Sequence, residues 1–281
     1  MNPETGAIFG VKLGLAMKPS LSLLKELARA AGEILKAGYN PRPGLGNHLQ
    51  IQHKSEIDLV TDVDQRSEAF ILEQIQKRFP GDQVIAEESG QKKGNLERVW
   101  YVDPLDGTIN YAHGVPFFAV SIGYQENGQL QLGVVYDPIH DECFSAEKDK
   151  GAWLNGERVR VSDKQDMVES LLATGFPYDI RSNAENNLDH HAQLSLISQG
   201  VRRIGSAALD LSYVAVGRFD GFWEIRLETW DVAAGGLIAR EAGAVVTNID
   251  GEPDFLSAPQ SILAANPRLH AKMLEILRHR T

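Results

Sequence analysis

The chain has 281 residues, 43% hydrophobic and 23% charged, a composition that excludes a disordered tail or a mini-protein dependent on disulfides. Its 28 basic and 38 acidic residues give a net charge of −10, which opposes nonspecific attraction to nucleic acid or anionic membrane, so an anionic ligand must be met by local positive charge. Cys143 is the only cysteine, so neither an intrachain disulfide nor a cysteine zinc cluster is available, which suits a reducing cytoplasm.

The first apolar stretch, Ala7 to Met17, contains Lys12 and falls short of the roughly 20 residues that cross a bilayer. No membrane anchor is expected, and Glu4 with no basic residue before the stretch argues against a signal peptide. Met17 offers a second start besides Met1. From Ser20 to Lys36, Leu21, Leu24, Leu27, Ala28, Ala31, Ile34 and Leu35 recur at three- and four-residue spacing, which predicts a helix with one buried stripe. Gly38, Pro41, Pro43, Gly44 and Gly46 then break it. A second helix is expected from Asp62 to Arg78, closed by Pro80-Gly81. Between Val99 and Val161, β-rich runs alternate with turns such as Asn127-Gly128, Asp137-Pro138 and Asn155-Gly156, which predicts an antiparallel meander.

After about Leu154 the rhythm changes to alternating strands and helices. Strands are expected near Leu171–Thr174, Val201–Ile204, Gly221–Ile225, Val245–Asn248 and Ile262–Ala264, and helices near Ala184–Gln199, Ala207–Val216, Asp231–Glu241 and Pro267–Arg278. The chain therefore divides into an N-terminal lobe over 1–153 and a C-terminal lobe over 154–281.

Four acidic segments adjoin apolar runs: Asp58 to Asp64, Glu87-Glu88-Ser89, Asp103 to Thr108 (DPLDGT) and Trp230-Asp231. In DPLDGT, Pro104 stiffens the turn and Gly107 permits close backbone approach, so Asp103, Asp106 and the Leu105 carbonyl can face one point. Such oxygens suit Mg2+, which shares its coordination sphere with substrate phosphate. Each piece also has a structural reading: DPLDG as turn chemistry, Glu87-Glu88 as a solvated pair, Asp231 as a helix N-cap.

The order and spelling of the pieces resemble the inositol monophosphatase family across nearly the whole chain. The resemblance lies in Lys54 with Asp58-Leu59-Val60-Thr61 and Asp64, Glu87-Glu88-Ser89, Asp103-Pro104-Leu105-Asp106-Gly107-Thr108-Ile109-Asn110, and Trp230-Asp231-Val232-Ala233-Ala234-Gly235. It implies an α+β or α/β fold, a layered α-β-α-β-α sandwich of two lobes, with the antiparallel meander in the first and a mixed sheet with helices in the second. It also implies two or three Mg2+ per site. Glu87, Asp103 and the Leu105 carbonyl would hold a first ion, Asp103, Asp106 and Asp231 a second, and Glu87 a third. Thr108 paired with Asp64 would orient and deprotonate the attacking water, with Glu87 and its ion assisting. Gly107 and Thr108 would offer N–H groups to phosphate, alongside Asp106 and Asp231. Ala207 and Glu224 match positions that contact the alcohol, while Asp210 reads as helix surface or an inter-subunit contact.

The implied activity is hydrolysis of inositol 1-phosphate by water activated between ions roughly 4 Å apart, with no phosphoenzyme. Fructose 1,6-bisphosphate, histidinol phosphate and 3′-phosphoadenosine 5′-phosphate are alternative substrates, and a non-catalytic ion- or partner-binding relative is the alternative of another class. The partners implied are a small phosphomonoester and a second copy in a homodimer, with no nucleic acid and no membrane. An aspartyl nucleophile at Asp62-Val63-Asp64 fits poorly, because Asp58 and Thr61 interrupt the apolar run that should precede it, and no P-loop is present. His190-His191 reads as a solvated pair, and Cys143 as a core residue without the cationic setting of a nucleophile.

Overall fold

The computed structural model describes residues 18–42, 51–53 and 59–278. Met17, Lys54, Asp58 and the side chain of His53 lie outside the described residues. In chain order the first half contains α1 (Leu21–Gly38), β1 (Ile51–His53), β2 (Leu59–Thr61), α2 (Asp62–Arg78), β3 (Asp82–Ala86), β4 (Gly90–Lys92) and β5 (Asn95–Asp106). Then come α3 (Thr108–Ala112), β6 (Ala119–Glu126), β7 (Gln129–Asp137), β8 (Glu142–Glu147), β9 (Gly151–Leu154) and β10 (Glu157–Val159). The second half contains β11 (Leu171–Thr174), α4 (Leu188–Ile197), β12 (Gly200–Arg202), α5 (Ala207–Ala215), β13 (Gly221–Leu227), α6 (Thr229–Glu241), β14 (Val245–Thr247), β15 (Gln260–Ala265) and α7 (Pro267–Arg278).

Both early helices are started by their own side chains. Ser20 Oγ accepts the Leu23 N–H at 3.3 Å, and Thr61 and Asp64 form a reciprocal capping box at the head of α2. The predicted stripe of α1 is buried at Leu24, Leu27, Ala28, Ala31 and Leu35, each leucine contributing about 1.5–3 kcal/mol of burial.

The strands form an eight-stranded sheet, ordered β10-β9-β8-β7-β6-β5-β3-β4, and a five-stranded sheet, ordered β12-β11-β13-β15-β14. The expected meander is present as β5 to β10, but β3 runs parallel to β5, so the first sheet is mixed. The second sheet is mixed as expected.

Side chains alternating along the strands bind the layers together. Trp100 and Val102 of β5 pack with α1 and α2, whereas Val99 and Tyr101 face α5 and α6. Those two helices are covered on their other side by Phe222, Ile262 and Ala264 of the second sheet. Trp223, Ile225 and Leu263 point the opposite way, onto Leu194 of α4 and Leu269 and Met273 of α7. The result is the layered α-β-α-β-α sandwich. Among the described residues no helix is long and apolar enough to cross a membrane.

Three local expectations are corrected. α4 starts at Leu188 instead of Ala184, because the Asn183 and Asn186 side chains accept the N–H groups of Glu185 (3.0 Å) and Leu188 (3.2 Å) and hold a turn in place of a helix. His190 is buried beside Asn187, and the half-buried His191 packs on Phe176 with ring centroids 5.6 Å apart, so they are not a solvated pair. Asp231 is the third residue of α6, whose N-cap is Glu228.

Candidate active site

β5 delivers Asp103, Leu105 and Asp106 to its C-terminal end, where Gly107 turns the chain into α3 with φ of 93°. A side chain there is excluded twice over: its Cβ would sit 2.9 Å from the Phe117 carbonyl and 3.3 Å from that of Gly205. Asp103 Oδ1 accepts the Leu105 N–H at 3.0 Å, and Ser67 of α2 donates to the Pro104 carbonyl at 2.9 Å. The turn is thus fixed from inside and from the neighbouring helix.

Thr108 Oγ1 lies 3.0 Å from Asp64 Oδ1 and 3.0 Å from the Leu105 carbonyl. Asp64 Oδ2 accepts the backbone N–H of Thr61 at 3.0 Å and the Thr61 hydroxyl, so the expected Thr108–Asp64 pair is present and fully buried at Asp64. Burial pushes the Asp64 carboxyl upward, against the lowering effect of these hydrogen bonds.

Asp231 arrives from the other half of the chain. Its helix can lie directly on the first sheet because the facing residues are small: a Cβ at Gly133 would stand 2.8 Å from the Ala234 carbonyl, and one at Gly123 3.0 Å from Ala233 Cβ. Asp231 Oδ2 accepts the Glu228 N–H at 2.7 Å. Asp106 Oδ2 in turn accepts the Ser206 hydroxyl at 2.5 Å and the Ala208 N–H at 2.8 Å at the start of α5. Asn110 Nδ2 donates to the Phe117 and Ile204 carbonyls, both at 2.8 Å.

Glu87, Asp103, Asp106, Asp210, Glu224 and Asp231 line one cleft of about 330 Å³, together with the Gly107–Thr108 turn and Ala207. Arg203 is the only lysine or arginine among its described lining residues. Asp103 is driven well above the ordinary carboxylate range, by burial first and then by Glu87, Asp106 and Asp231. Asp231 moves the same way, chiefly through burial. Burial lifts Asp106 to about 6 despite its bonds to Ser206 and Ala208. Glu224 rises to about 8 through burial and the charge of Asp106. Asp210 is pushed well up by burial, Glu224 and Asp106. It is 1% exposed and faces the cleft, which corrects its assignment to the helix surface.

Anionic oxygens crowded together against so little positive charge are the setting in which a hard divalent cation relieves repulsion, and the donor chemistry fits Mg2+. Among the described residues no trio of His, Cys, Asp or Glu side chains is already gathered around one ion-sized point. The fit therefore lies in donor type and shared cleft. Cys143 is buried, as expected, with its thiol pushed up by burial.

Two supporting residues escape the motif reading. Glu68, 3% exposed, accepts the N–H groups of Glu88 and Ser89, both at 2.8 Å, and so ties down the segment carrying Glu87. Ser67 anchors Pro104 as described. With Asp64 they form a buried polar stripe on α2 at i, i+3 and i+4, a helical spacing visible in the sequence.

Comparison with known proteins agrees with this architecture. The model of the inositol monophosphatase family matches residues 16–281. A Pasteurella multocida protein named Nus factor SuhB is 41% identical over 259 residues, covering 92% of this chain and 95% of that one. An inositol-1-monophosphatase of Mesorhizobium japonicum is 38% identical over 265 residues, covering 94% and 98%. Among solved structures, the inositol monophosphatase of Anabaena (Nostoc) sp. PCC 7120 superposes with a TM-score of 0.81 at 42% identity, over 93% of this chain and 96% of that one. The chain belongs to the inositol monophosphatase family.

Proposed function

We propose that the chain is a Mg2+-dependent phosphomonoesterase that hydrolyses inositol 1-phosphate to inositol and phosphate by direct transfer to water. The observation that carries this reading is the acidic cleft with the Thr108–Asp64 pair at its edge. Glu87, Asp103, the Leu105 carbonyl, Asp106 and Asp231 would hold two or three ions. Bound there, Mg2+ supplies positive charge to offset the phosphate dianion and the departing alkoxide, and acidifies water.

The chain's own residues do the rest. The attacking water donates to Thr108 Oγ1, which passes its proton to Asp64 Oδ1 as the new P–O bond forms and the ester P–O bond breaks, and the departing alkoxide takes a proton from a solvent water to leave as the alcohol. Burial makes Asp64 a stronger base than an exposed aspartate. The Gly107 and Thr108 N–H groups orient phosphate oxygens, and Ala207 and Glu224 receive the alcohol half. The cytoplasm is the proposed location, in keeping with a lone unpaired cysteine, and the homodimer is proposed on family resemblance.

A Mg2+-dependent phosphate-release panel over inositol 1-phosphate, fructose 1,6-bisphosphate, histidinol phosphate and 3′-phosphoadenosine 5′-phosphate tests the assignment, with Asp103→Asn and Asp231→Asn as inactive controls at saturating Mg2+. The name Nus factor carried by several relatives supports a second reading, in which the scaffold serves a binding partner. Wild-type protein inert toward every ester in the panel would favour it.

A further inference from the structure

We propose that Asp210 determines the leaving group: its carboxyl takes a hydroxyl of the substrate's alcohol half beside Glu224, so the chain selects phosphomonoesters of polyols. This rests on the phosphomonoesterase reading above. Asp210 sits in the first turn of α5 and lines the cleft with Glu224. Its Oδ1 is buried and has no hydrogen-bond partner. A carboxyl oxygen removed from water without a donor is costly to keep, and no described group donates to this one.

The neighbouring hydroxyls are committed elsewhere. Ser206 Oγ bonds Asp106 at 2.5 Å, and Ser212 Oγ bonds the Ala208 carbonyl at 2.7 Å. Arg203 lies in the same cleft but makes no hydrogen bond to Asp210 Oδ1. Gly175 leaves room for Glu224, since a Cβ there would meet its carboxylate oxygens at 2.2 Å. Two carboxyls lining one cleft, one with an unmatched oxygen, suit an alcohol that presents adjacent hydroxyls.

The test compares kcat/KM for inositol 1-phosphate with kcat/KM for p-nitrophenyl phosphate, whose alcohol has no further hydroxyl, in the Mg2+-loaded protein. In Asp210→Ala and Asp210→Ser the ratio is expected to fall about tenfold, as the loss of one hydrogen bond implies. Asp210→Asn, which keeps an acceptor in place, should retain most of it. A ratio unmoved in the Ala and Ser variants, or as low in Asn as in Ala, overturns the proposal whatever the absolute rates do. Wild-type protein that hydrolyses neither ester overturns the phosphatase reading and the proposal together.

Discussion

Replacing Glu68 by Gln should loosen the segment that carries Glu87 without touching the cleft itself. The Glu68 carboxylate accepts two backbone N–H groups, both at 2.8 Å, from a side chain 3% exposed. Glutamine can offer its carbonyl to only one of them and must turn its own NH2 toward the other. One charge-assisted bond is then lost and a partly buried N–H is left facing a donor, at a cost of about 2 kcal/mol. For a chain of this size that corresponds to roughly 5 °C in Tm. Because Glu87 adjoins the freed segment, the Mg2+ concentration giving half-maximal phosphate release should rise several-fold, with a smaller change in the rate at saturating Mg2+. Calorimetry and a Mg2+ titration of phosphate release measure the two effects. Unchanged Tm with an unchanged Mg2+ dependence would refute the assigned role of Glu68.

Asp64→Asn should lower kcat by at least about 100-fold with little change in KM, as expected on removing a proton acceptor, and steady-state phosphate release is the check. Asp106 and Glu224 have folded-state pKa values raised to about 6 and about 8, above the value near 4 of unfolded carboxylates. Between these limits the folded, metal-free protein holds more protons than the unfolded chain, so its stability is greatest in acid and falls as pH rises from about 5 to 8. Saturating Mg2+ should raise Tm more at pH 8 than at pH 5, and a Tm increment that is flat or larger at pH 5 contradicts the clustering of these carboxyls. Gly133→Ala forces a methyl to 2.8 Å from the Ala234 carbonyl, so it should cost about 1–3 kcal/mol by overpacking and weaken Mg2+ activation through a displaced α6, read by denaturant unfolding and the same titration.

The acidic motifs are legible in the sequence because a metal site needs particular residue types, and turn residues such as Pro104 and Gly107 mark where the chain must present them. α1 and α7 are equally legible, since each buries a single stripe. α5 is different. It lies between the two sheets with Ala207, Ala208, Leu209, Asp210, Leu211 and Ser212 all buried, so periodicity has no solvent face to detect and Asp210 passes for a surface acid. His190 misleads for a related reason, because its burial comes from the turn at Asn187, whose side chain also accepts the Trp223 indole N–H at 2.8 Å. The parallel pairing of β3 is set by contact with a strand beyond the intervening β4, and no local pattern encodes it. Glu68 shows only as a polar break in the stripe of α2.

The grip of Asp106 on Ser206 and Ala208 bears on how relatives of this chain can diversify. A carboxylate aimed by the Ser206 hydroxyl and the Ala208 backbone N–H makes the Ser206 side chain part of the chemistry, so it cannot vary without disturbing it, whereas at 208 only proline would remove the donor. Asp210 and Glu224 line the same cleft and make no hydrogen bond to Asp106. Substrate range can therefore drift at those positions while the hydrolytic apparatus stays constant, which would let one ancestral scaffold serve many alcohols.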